Sequence, residues 1–330
     1  MSRAAALARA GVEKHVGNKT RCPDTALPYM LAQRAAVTGS VLRPPQGGYP
    51  LLLGLYGGFV STPPFRRQEG QHSMLRAIDL AALNTATKYP SIPTYHGLDP
   101  KNGGLIEDAA AFDGDVYLTE KVDGTNGRIV SFPGGDYVLG SREELLYARG
   151  DLIGNPALGI ADALRPLADR VTPPTSGIRV LYLEVYGGKV TAASREYTGS
   201  RTVGYRLFDA ADIPLDVLEQ PRARISSWRE DGGQQFLDEG ELTRSATAEG
   251  IELVPRLATV RAGDLPNGIA EMQTFLAGHL PTSRVILDEG AGGHPEGIVL
   301  RNSDRSVIAK ARFQDYRRTL GRRTRPARSR

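Results

Sequence analysis

Cysteine is almost absent from this sequence, and the shortage limits what the protein can be. Cys22 is the single cysteine among 330 residues, which excludes an intramolecular disulfide framework and a cysteine-based zinc site. Long apolar runs are missing as well: Pro50–Val60 is too short and too glycine-rich to cross a bilayer, and the N-terminus lacks the apolar core of a signal peptide. We therefore expect a protein of the reducing cytoplasm with no membrane partner.

Lysine is also scarce, which makes the few that remain informative. The chain has 41 Lys and Arg, and the lysines among them are Lys14, Lys19, Lys88, Lys101, Lys121, Lys189 and Lys310. Arginine supplies a positive charge but cannot act as an amine nucleophile. A lysine retained in so arginine-rich a chain is therefore a candidate for chemistry.

Charge is unevenly distributed and divides the chain into three stretches. Residues 1–73 contain nine basic and three acidic side chains and lack a sustained apolar period, which predicts a disordered extension or a mis-assigned start. Residues 74–316 contain 25 basic and 34 acidic side chains and have the patterning of a folded domain. Residues 317–330 contain seven arginines and no acid, which predicts a disordered basic tail that either binds phosphate or aids solubility.

The patterning within 74–316 predicts strands and helices without the alternation of a βαβ repeat. Helical spacing predicts helices over 75–86, 155–170, 239–249 and 267–280. Alternating or β-branched runs predict strands over 115–121, 127–132, 137–140, 179–186, 203–209 and 252–254, followed by a hairpin of 296–302 and 306–312. This order predicts an α+β domain built on antiparallel β-sheets flanked by helices.

Lys121 stands at the end of a predicted strand, in the run Glu120-Lys121-Val122-Asp123-Gly124-Thr125-Asn126. Taken alone, Lys-x-Asp-Gly is a weak signal, because a strand followed by an Asp-Gly turn has the same letters. Five further runs follow in the chain: Leu139-Gly140-Ser141-Arg142, Tyr182–Gly187 around Glu184, Tyr205–Asp209 around Phe208, Pro295–Arg301 around Glu296, and Ile308–Arg312 with Lys310. Singly, Phe208 is more typical of a core and Glu184 of a surface, but the ordered set favours a shared site.

The ordered set resembles the motifs of the covalent nucleotidyltransferase superfamily, which comprises DNA ligases, RNA ligases and mRNA capping enzymes. Gly124-Thr125-Asn126 and the upstream run Lys88–Pro93 are similar to RNA ligases of the second bacteriophage type. Two positions depart from that pattern, since many such enzymes have histidine in place of Asp123 and a second lysine in place of Arg312. The resemblance implies a nucleotidyltransferase domain, the ATP-grasp-like ligase adenylation domain, and the few residues after Arg312 leave no room for an OB-fold domain.

The resemblance also implies a reaction and a set of site residues. Lys121 would attack ATP to form lysyl-AMP, pass AMP to a 5′-phosphate RNA end, and a 3′-hydroxyl would then seal the strand, as RNA repair requires. Nearby cations, namely Lys310, Arg312, Arg142 or Mg²⁺, would favour the loss of the Lys121 proton. The implied nucleotide-binding residues are Glu120, Lys121, Asp123, Gly124, Asn126, Arg142, Glu184, Phe208, Glu296 and Lys310, and the implied Mg²⁺ ligands are Glu296 and Glu184.

Two other functions remain open at this point. Asp123 is compatible with a minimal ATP-dependent DNA ligase, and a nicked duplex is as reasonable a substrate as free RNA ends. A protein that keeps this fold but only binds nucleotides or RNA ends is the other alternative. The retained Lys121 argues against the second of these.

Overall fold

A computed structural model describes residues 74–155 and 159–323. The predicted extension over 1–73 lies outside the described residues. The helices are α1 Leu80–Thr87, α2 Ile160–Ala168, α3 Arg222–Glu230, α4 Glu239–Glu249, α5 Ile269–His279 and α6 Phe313–Arg323. The strands are β1 His96–Leu98, β2 Leu105–Ala109, β3 Asp115–Lys121, β4 Thr125–Ser131, β5 Tyr137–Ser141, β6 Leu145–Ala148, β7 Asp151–Leu152, β8 Ile178–Gly187, β9 Val203–Ile213, β10 Gln235–Phe236, β11 Arg256–Arg261, β12 Gly297–Arg301 and β13 Ile308–Arg312. None of the helices in these residues is long and apolar enough to cross a bilayer.

The larger sheet has seven strands in the order β10-β9-β8-β4-β5-β6-β7, and every neighbouring pair is antiparallel. Helices cover both of its faces. Ile129 of β4 packs into the cluster that contains Leu164 of α2, whereas the next residue, Val130, packs into the cluster that contains Leu83 of α1. Because both faces are buried, β8 is a largely apolar run rather than a strand of alternating polarity.

The smaller sheet has four antiparallel strands in the order β11-β3-β12-β13. One face packs on α5 and α6, where Leu118 and Ile298 belong to the same buried cluster as Met272 and Tyr316. On the other face, Lys121, Val299 and Lys310 are only partly buried. This sheet therefore has one face available for a site.

Three residues connect the two sheets. β3 of the four-stranded sheet ends at Lys121, and β4 of the seven-stranded sheet begins at Thr125. The Lys-x-Asp-Gly motif thus lies where the chain passes from one sheet to the other. The prediction of an α+β domain built on antiparallel sheets is confirmed, and no OB-fold domain occurs within 74–155 and 159–323.

The chain continues as a helix where a disordered tail was predicted. The predicted tail began at residue 317, but α6 extends to Arg323, so this part of the prediction is wrong. Tyr316 is buried, the Thr319 hydroxyl accepts a 3.0 Å hydrogen bond from the backbone N–H of Leu105, and Arg323 pairs with Glu107 at 2.6 Å. The few apolar residues of α6 have helical spacing, but arginines outnumber them, so the sequence pattern did not indicate a helix. Residues 324–330 lie outside the described part of the chain.

Candidate active site

A cavity of about 290 Å³ lies where the two sheets meet. The four-stranded sheet contributes Thr119, Val299 and Lys310, which occupy one row across β3, β12 and β13. Because alternate residues of a strand share a face, Lys121 lies on the same face two residues further along β3. The opposite wall belongs to the seven-stranded sheet. The predicted site residues among those lining the cavity are Glu120, Lys121, Asp123, Gly124, Asn126, Arg142, Glu184, Phe208 and Lys310.

Lys121 forms a short ion pair beside the cavity. Its Nζ lies 2.6 Å from Oε2 of Glu296, and both side chains are largely shielded from solvent. The contact follows from strand register, because Lys121 is paired with Gly297, the residue directly after Glu296. The end of β3 and the start of the β12–β13 hairpin are far apart in the chain, and their pairing places the Lys121 amine against the Glu296 carboxylate.

The link between the sheets is held by hydrogen bonds and by a close backbone approach. The backbone N–H of Asp123 donates to the Tyr197 hydroxyl at 2.6 Å, and that of Gly124 donates to Oε1 of Glu184 at 3.0 Å. A Cβ atom on Gly124 would lie 2.3 Å from the carbonyl oxygen of Val185. Glycine is therefore required at this position by the proximity of β8.

Burial and neighbouring charges shift the ionisable groups of the cavity. Burial raises the pKa of Glu184 to about 8, with Lys121 opposing the shift and Glu296 adding to it. Burial also raises the pKa of Glu296, again against the influence of Lys121. The pKa of Lys310 is lowered by burial and by the nearby Arg312 and Lys121. Both acids and this lysine are thus biased towards their neutral forms, as expected for a site whose charges await a ligand.

Arg142 is a further charged side chain at the cavity. It follows β5, lines the cavity, and its guanidinium donates to the Ser91 hydroxyl at 3.2 Å. Its side chain is 60% exposed, so it stands at the mouth. We refer to Lys121, Arg142, Glu184, Glu296 and Lys310 as the front group.

Two predicted site residues direct their charged groups elsewhere. Glu120 is buried, and its carboxylate accepts hydrogen bonds from the Ser283 hydroxyl at 2.6 Å and from the backbone N–H of Arg284 at 2.8 Å. Arg312 does not line the cavity, because its Nε pairs with Asp315 at 2.8 Å. Glu120 thus anchors the strand that carries Lys121, and Arg312 acts on the cavity through its charge.

An aromatic wall stands opposite the four-stranded sheet. Phe208 is the extra residue of a bulge in β9, because Asp209 pairs with Tyr182 while Leu207 pairs with Leu183. Its ring meets that of Tyr89 edge to face, with centroids 4.9 Å apart, and both residues line the cavity. The bulge aims Phe208 towards the cavity rather than wholly into the core.

Behind this wall lies a buried set of charges to which the sequence assigned no role. Asp209 pairs with Arg305 at 2.7 Å and with Arg301 at 3.5 Å, and Glu239 pairs with Arg301 and, at 2.8 Å, with Arg256. We call these five residues the rear cluster. Asp209 and Arg301 stand inside two of the motif runs and line the cavity, which is the signal that could have drawn attention to them.

The side-chain carbonyl of Asn126 at the cavity has no hydrogen-bond partner in the described residues. Oδ1 of Asn126 is buried and accepts no hydrogen bond. Asn126 is paired with Glu184 across β4 and β8, so the two side chains lie side by side on the seven-stranded sheet. A buried carbonyl without a donor is costly, and a ligand hydroxyl or amine would satisfy it.

Comparisons with known proteins agree with the motifs. The family model described as RNA ligase matches residues 114–313. No curated protein sequence matches the chain. Two solved structures of RNA ligase from Naegleria gruberi are similar to this chain. The first has 16% identity and a TM-score of 0.47, and the match covers 70% of this chain and 57% of that chain. The second, with ATP and Mn, has 14% identity and a TM-score of 0.43, and the match covers 64% of this chain and 52% of that chain. An archaeal ATP-dependent RNA ligase has 16% identity, a TM-score of 0.44 and coverage of 69% and 49%.

The solved structures and the family model differ in how much they say about this chain. The chain spans about half the length of the solved ligases. The family model matches more than half of this chain, and the matched residues include the whole front group. On that ground, this chain belongs to the RNA ligase family.

Proposed function

We propose that this protein is an ATP-dependent RNA ligase that acts through a covalent Lys121–AMP intermediate. The observation that carries the proposal is the 2.6 Å contact between Lys121 Nζ and Glu296, beside a cavity that Glu184 and Lys310 also line. An amine held at a strand end, with acids and cations around it, has the parts that attack on phosphorus requires. Membership of the RNA ligase family supports this reaction class.

In the first step the Lys121 amine attacks the α-phosphorus of ATP. A nitrogen–phosphorus bond forms, the bond from that phosphorus to the bridging oxygen breaks, and pyrophosphate leaves while the amine gives up a proton. Lys310 and Arg142 line the cavity, where they would hold the negative charge on the α-phosphate oxygens. Glu296 orients the amine through its short contact.

The two acids of the front group are suited to a hard divalent cation. Burial raises the pKa of Glu184 to about 8 and the negative charge of Glu296 adds to that shift, so a bound cation would lower the cost of ionising Glu184. Within the described residues no three His, Cys, Asp or Glu side chains converge to hold a metal, so phosphate oxygens and water would complete the shell. Bound Mg²⁺ would neutralise charge on the phosphates of ATP.

The aromatic wall supports binding of the base. Phe208, Tyr89 and Val299 all line the cavity and give it apolar surface. A base stacked on an aromatic ring gains about 1–3 kcal/mol. We assign Phe208 as the stacking residue for adenine.

The remaining steps use the nucleic acid ends. A 5′-phosphate oxygen attacks the phosphorus of lysyl-AMP, the nitrogen–phosphorus bond breaks, and the amine of Lys121 is regenerated. A 3′-hydroxyl oxygen then attacks the activated 5′-phosphate, closes the phosphodiester bond and releases AMP. The unpartnered Oδ1 of Asn126 is an acceptor within the cavity, and we assign it to the hydroxyl of an RNA end.

RNA is the substrate that the family favours, and one residue supports DNA as a second candidate. Gly124-Thr125-Asn126 is similar to the second bacteriophage type of RNA ligase, whereas Asp123 stands where many of those enzymes have histidine. Sealing can be compared between a nicked duplex with RNA on the 3′-hydroxyl side and an all-DNA nick. The preferred substrate would separate the two candidate functions. Sealing of broken RNA in the cytoplasm is the role that we assign to the activity.

Incubation with ATP labelled at the α-phosphate, together with Mg²⁺, tests the central step. We expect a covalent label on the wild-type protein that acid releases, as a phosphoramidate should be released. Lys121→Arg keeps the positive charge but cannot act as the amine nucleophile, so its label should fall by more than about a thousandfold. Lys189→Arg, at an exposed lysine, is the matched control and should label normally.

The outcomes separate the alternatives. A folded wild-type protein that binds ATP without acquiring a label would contradict the ligase and support a protein that only binds nucleotides. A label that transfers to 5′-phosphorylated DNA but not to RNA would favour the DNA ligase. Loss of the label in Lys189→Arg as well as in Lys121→Arg would show that the label is not specific for Lys121.

A further inference from the structure

Arg305 has an unusual backbone conformation and an unusually full set of contacts. It lies in the turn between β12 and β13 with φ of 59°, the single non-glycine residue with positive φ in the described part of the chain. Arginine is disfavoured there, and glycine or asparagine would fit better. Contacts of the Arg305 side chain must therefore offset the conformational free energy that the left-handed backbone costs.

The guanidinium of Arg305 reaches from this turn to the aromatic wall. Its Nε donates to Asp209 Oδ2 at 2.7 Å, and its Nη2 donates to the Tyr89 hydroxyl at 2.9 Å. The centre of the guanidinium lies 3.6 Å from the ring centroid of Phe236 in β10. The Tyr89 hydroxyl in turn donates to Asp209 Oδ2 at 2.8 Å, which closes a triangle of three polar groups.

This triangle determines the surroundings of Phe208. Tyr89 meets the Phe208 ring at 89° with centroids 4.9 Å apart, and Asp209 is the next residue along β9. Phe208 is the bulged residue of its strand and has no cross-strand partner to fix it. The orientation of its ring therefore depends on its contacts with Tyr89 and Tyr182 and on the anchored Asp209.

We propose that Arg305 is a positioning residue for the nucleotide base, which holds Tyr89 and Asp209 so that Phe208 presents its face to the cavity. This inference rests on the proposed function, because it assumes that Phe208 stacks on adenine. Arg305 does not line the cavity, whereas Tyr89, Phe208 and Asp209 do. The residue therefore acts through others and should affect binding of ATP more than the chemical step.

The first test compares Arg305→Gly with the wild-type protein in self-adenylylation. Glycine accepts the positive φ without strain, so the substitution removes the guanidinium while the turn is retained. We expect the KM for ATP to rise about tenfold while the maximal rate stays within about twofold, since the loss falls on binding. Arg179→Ala removes an Arg–Asp pair from neighbouring strands away from the cavity and should leave both constants unchanged.

A second variant guards against loss of folding. Tyr89→Phe deletes only the hydroxyl that bonds to both Arg305 and Asp209 and keeps the ring against Phe208. We expect a KM increase of only about threefold, because Arg305 still pairs directly with Asp209. An unchanged KM in a folded Tyr89→Phe protein would overturn the proposal.

Coupling between the effects of the Arg305 and Phe208 substitutions on the KM for ATP would distinguish a positioning role of Arg305 from a merely structural one. If Arg305 acts through Phe208, then Phe208→Leu and the double variant Arg305→Gly/Phe208→Leu should have the same KM for ATP. Independent, multiplicative effects would contradict the proposal. Failure of the proposed function is distinguishable, because the wild-type protein itself would then acquire no label.

Discussion

The front group and the rear cluster are built from the same kinds of side chain but use their charges differently. In the rear cluster, Asp209 and Arg301 are 1% and 3% exposed, and each acid pairs with two arginines. In the front group, Lys121 and Glu296 form the single close ion pair, while Glu184 accepts only a backbone N–H. We therefore propose that the rear charges hold the fold together, whereas the front charges remain available to a ligand. Substitutions in the two regions should affect different properties.

Asp209→Asn should have the largest effect, and the effect should be on stability. The change leaves Arg301 and Arg305 buried with one less negative charge between them, and breaking a buried pair costs about 3–5 kcal/mol. Denaturant unfolding measures the free energy. Asp212→Asn, at a half-exposed acid on the same strand, should cost no more than about 1 kcal/mol. Equal losses in the two variants would show that burial does not distinguish the rear cluster.

Glu296→Gln should show the converse behaviour. Losing the carboxylate removes the partner of Lys121 and one candidate metal ligand, so we expect the rate of self-adenylylation to fall about a hundredfold or more. The free energy of unfolding should change by less than about 1 kcal/mol, because Glu296 is costly to ionise where it lies. Single-turnover labelling and denaturant unfolding measure the two quantities. Glu230→Gln, at an exposed acid, is the control, and a large fall in stability for Glu296→Gln would remove the distinction between the regions.

Gly124→Ala tests the link between the sheets, which belongs to neither region. Its Cβ would meet the carbonyl of Val185 at 2.3 Å, so the strands must separate. We expect a loss of about 1–3 kcal/mol in unfolding free energy, together with slower labelling because Lys121 is three residues away. Gly278→Ala in α5 adds a Cβ in open space and should be neutral or stabilising by up to about 1 kcal/mol. Unimpaired labelling of Gly124→Ala would show that the link does not position Lys121.

Regular elements with local signals could be predicted from the sequence. α4 matches the predicted range of 239–249, because Asp238 and Glu241 form a capping box at its start and Gly250 adopts a left-handed conformation at its end. The hairpin of β12 and β13 was also predicted from its turn. β11 was not, since its residues are mostly half-exposed and it lies at the edge of the four-stranded sheet.

The members of the site were more predictable than its electrostatics. Motif order indicated Lys121, Glu184 and Lys310, because each is marked by its own run of residues. The direction of the pKa shift of Glu184 depends on burial between two sheets, which no local run reveals. The contribution of Arg305 was less accessible still, since it depends on a left-handed turn and on strands far away in sequence.

Glu239 offers the smallest but most specific test of the comparison. Burial alone would raise the pKa of this carboxyl, yet hydrogen bonds and charges from Arg256 and Arg301 outweigh burial and lower it. A lowered pKa means that the unfolded chain takes up the proton first as the pH falls. The stabilisation is therefore present above the unfolded value of about 4.3 and is lost as the pH falls through the folded pKa.

Glu239→Gln should accordingly be less stable than the wild-type protein by about 1–2 kcal/mol at neutral pH, the scale of a charge-assisted hydrogen bond, because Asp209 still faces Arg301. The gap should narrow as denaturant unfolding is repeated at successively lower pH, because the wild-type carboxyl loses its stabilising charge as the pH falls through its lowered folded pKa. A gap that stays constant with pH would mean that shape rather than charge holds the rear cluster together. Because Glu296 has the opposite shift, Glu296→Gln should show no such narrowing, and the two pH profiles together separate charges that stabilise the fold from charges held for a ligand.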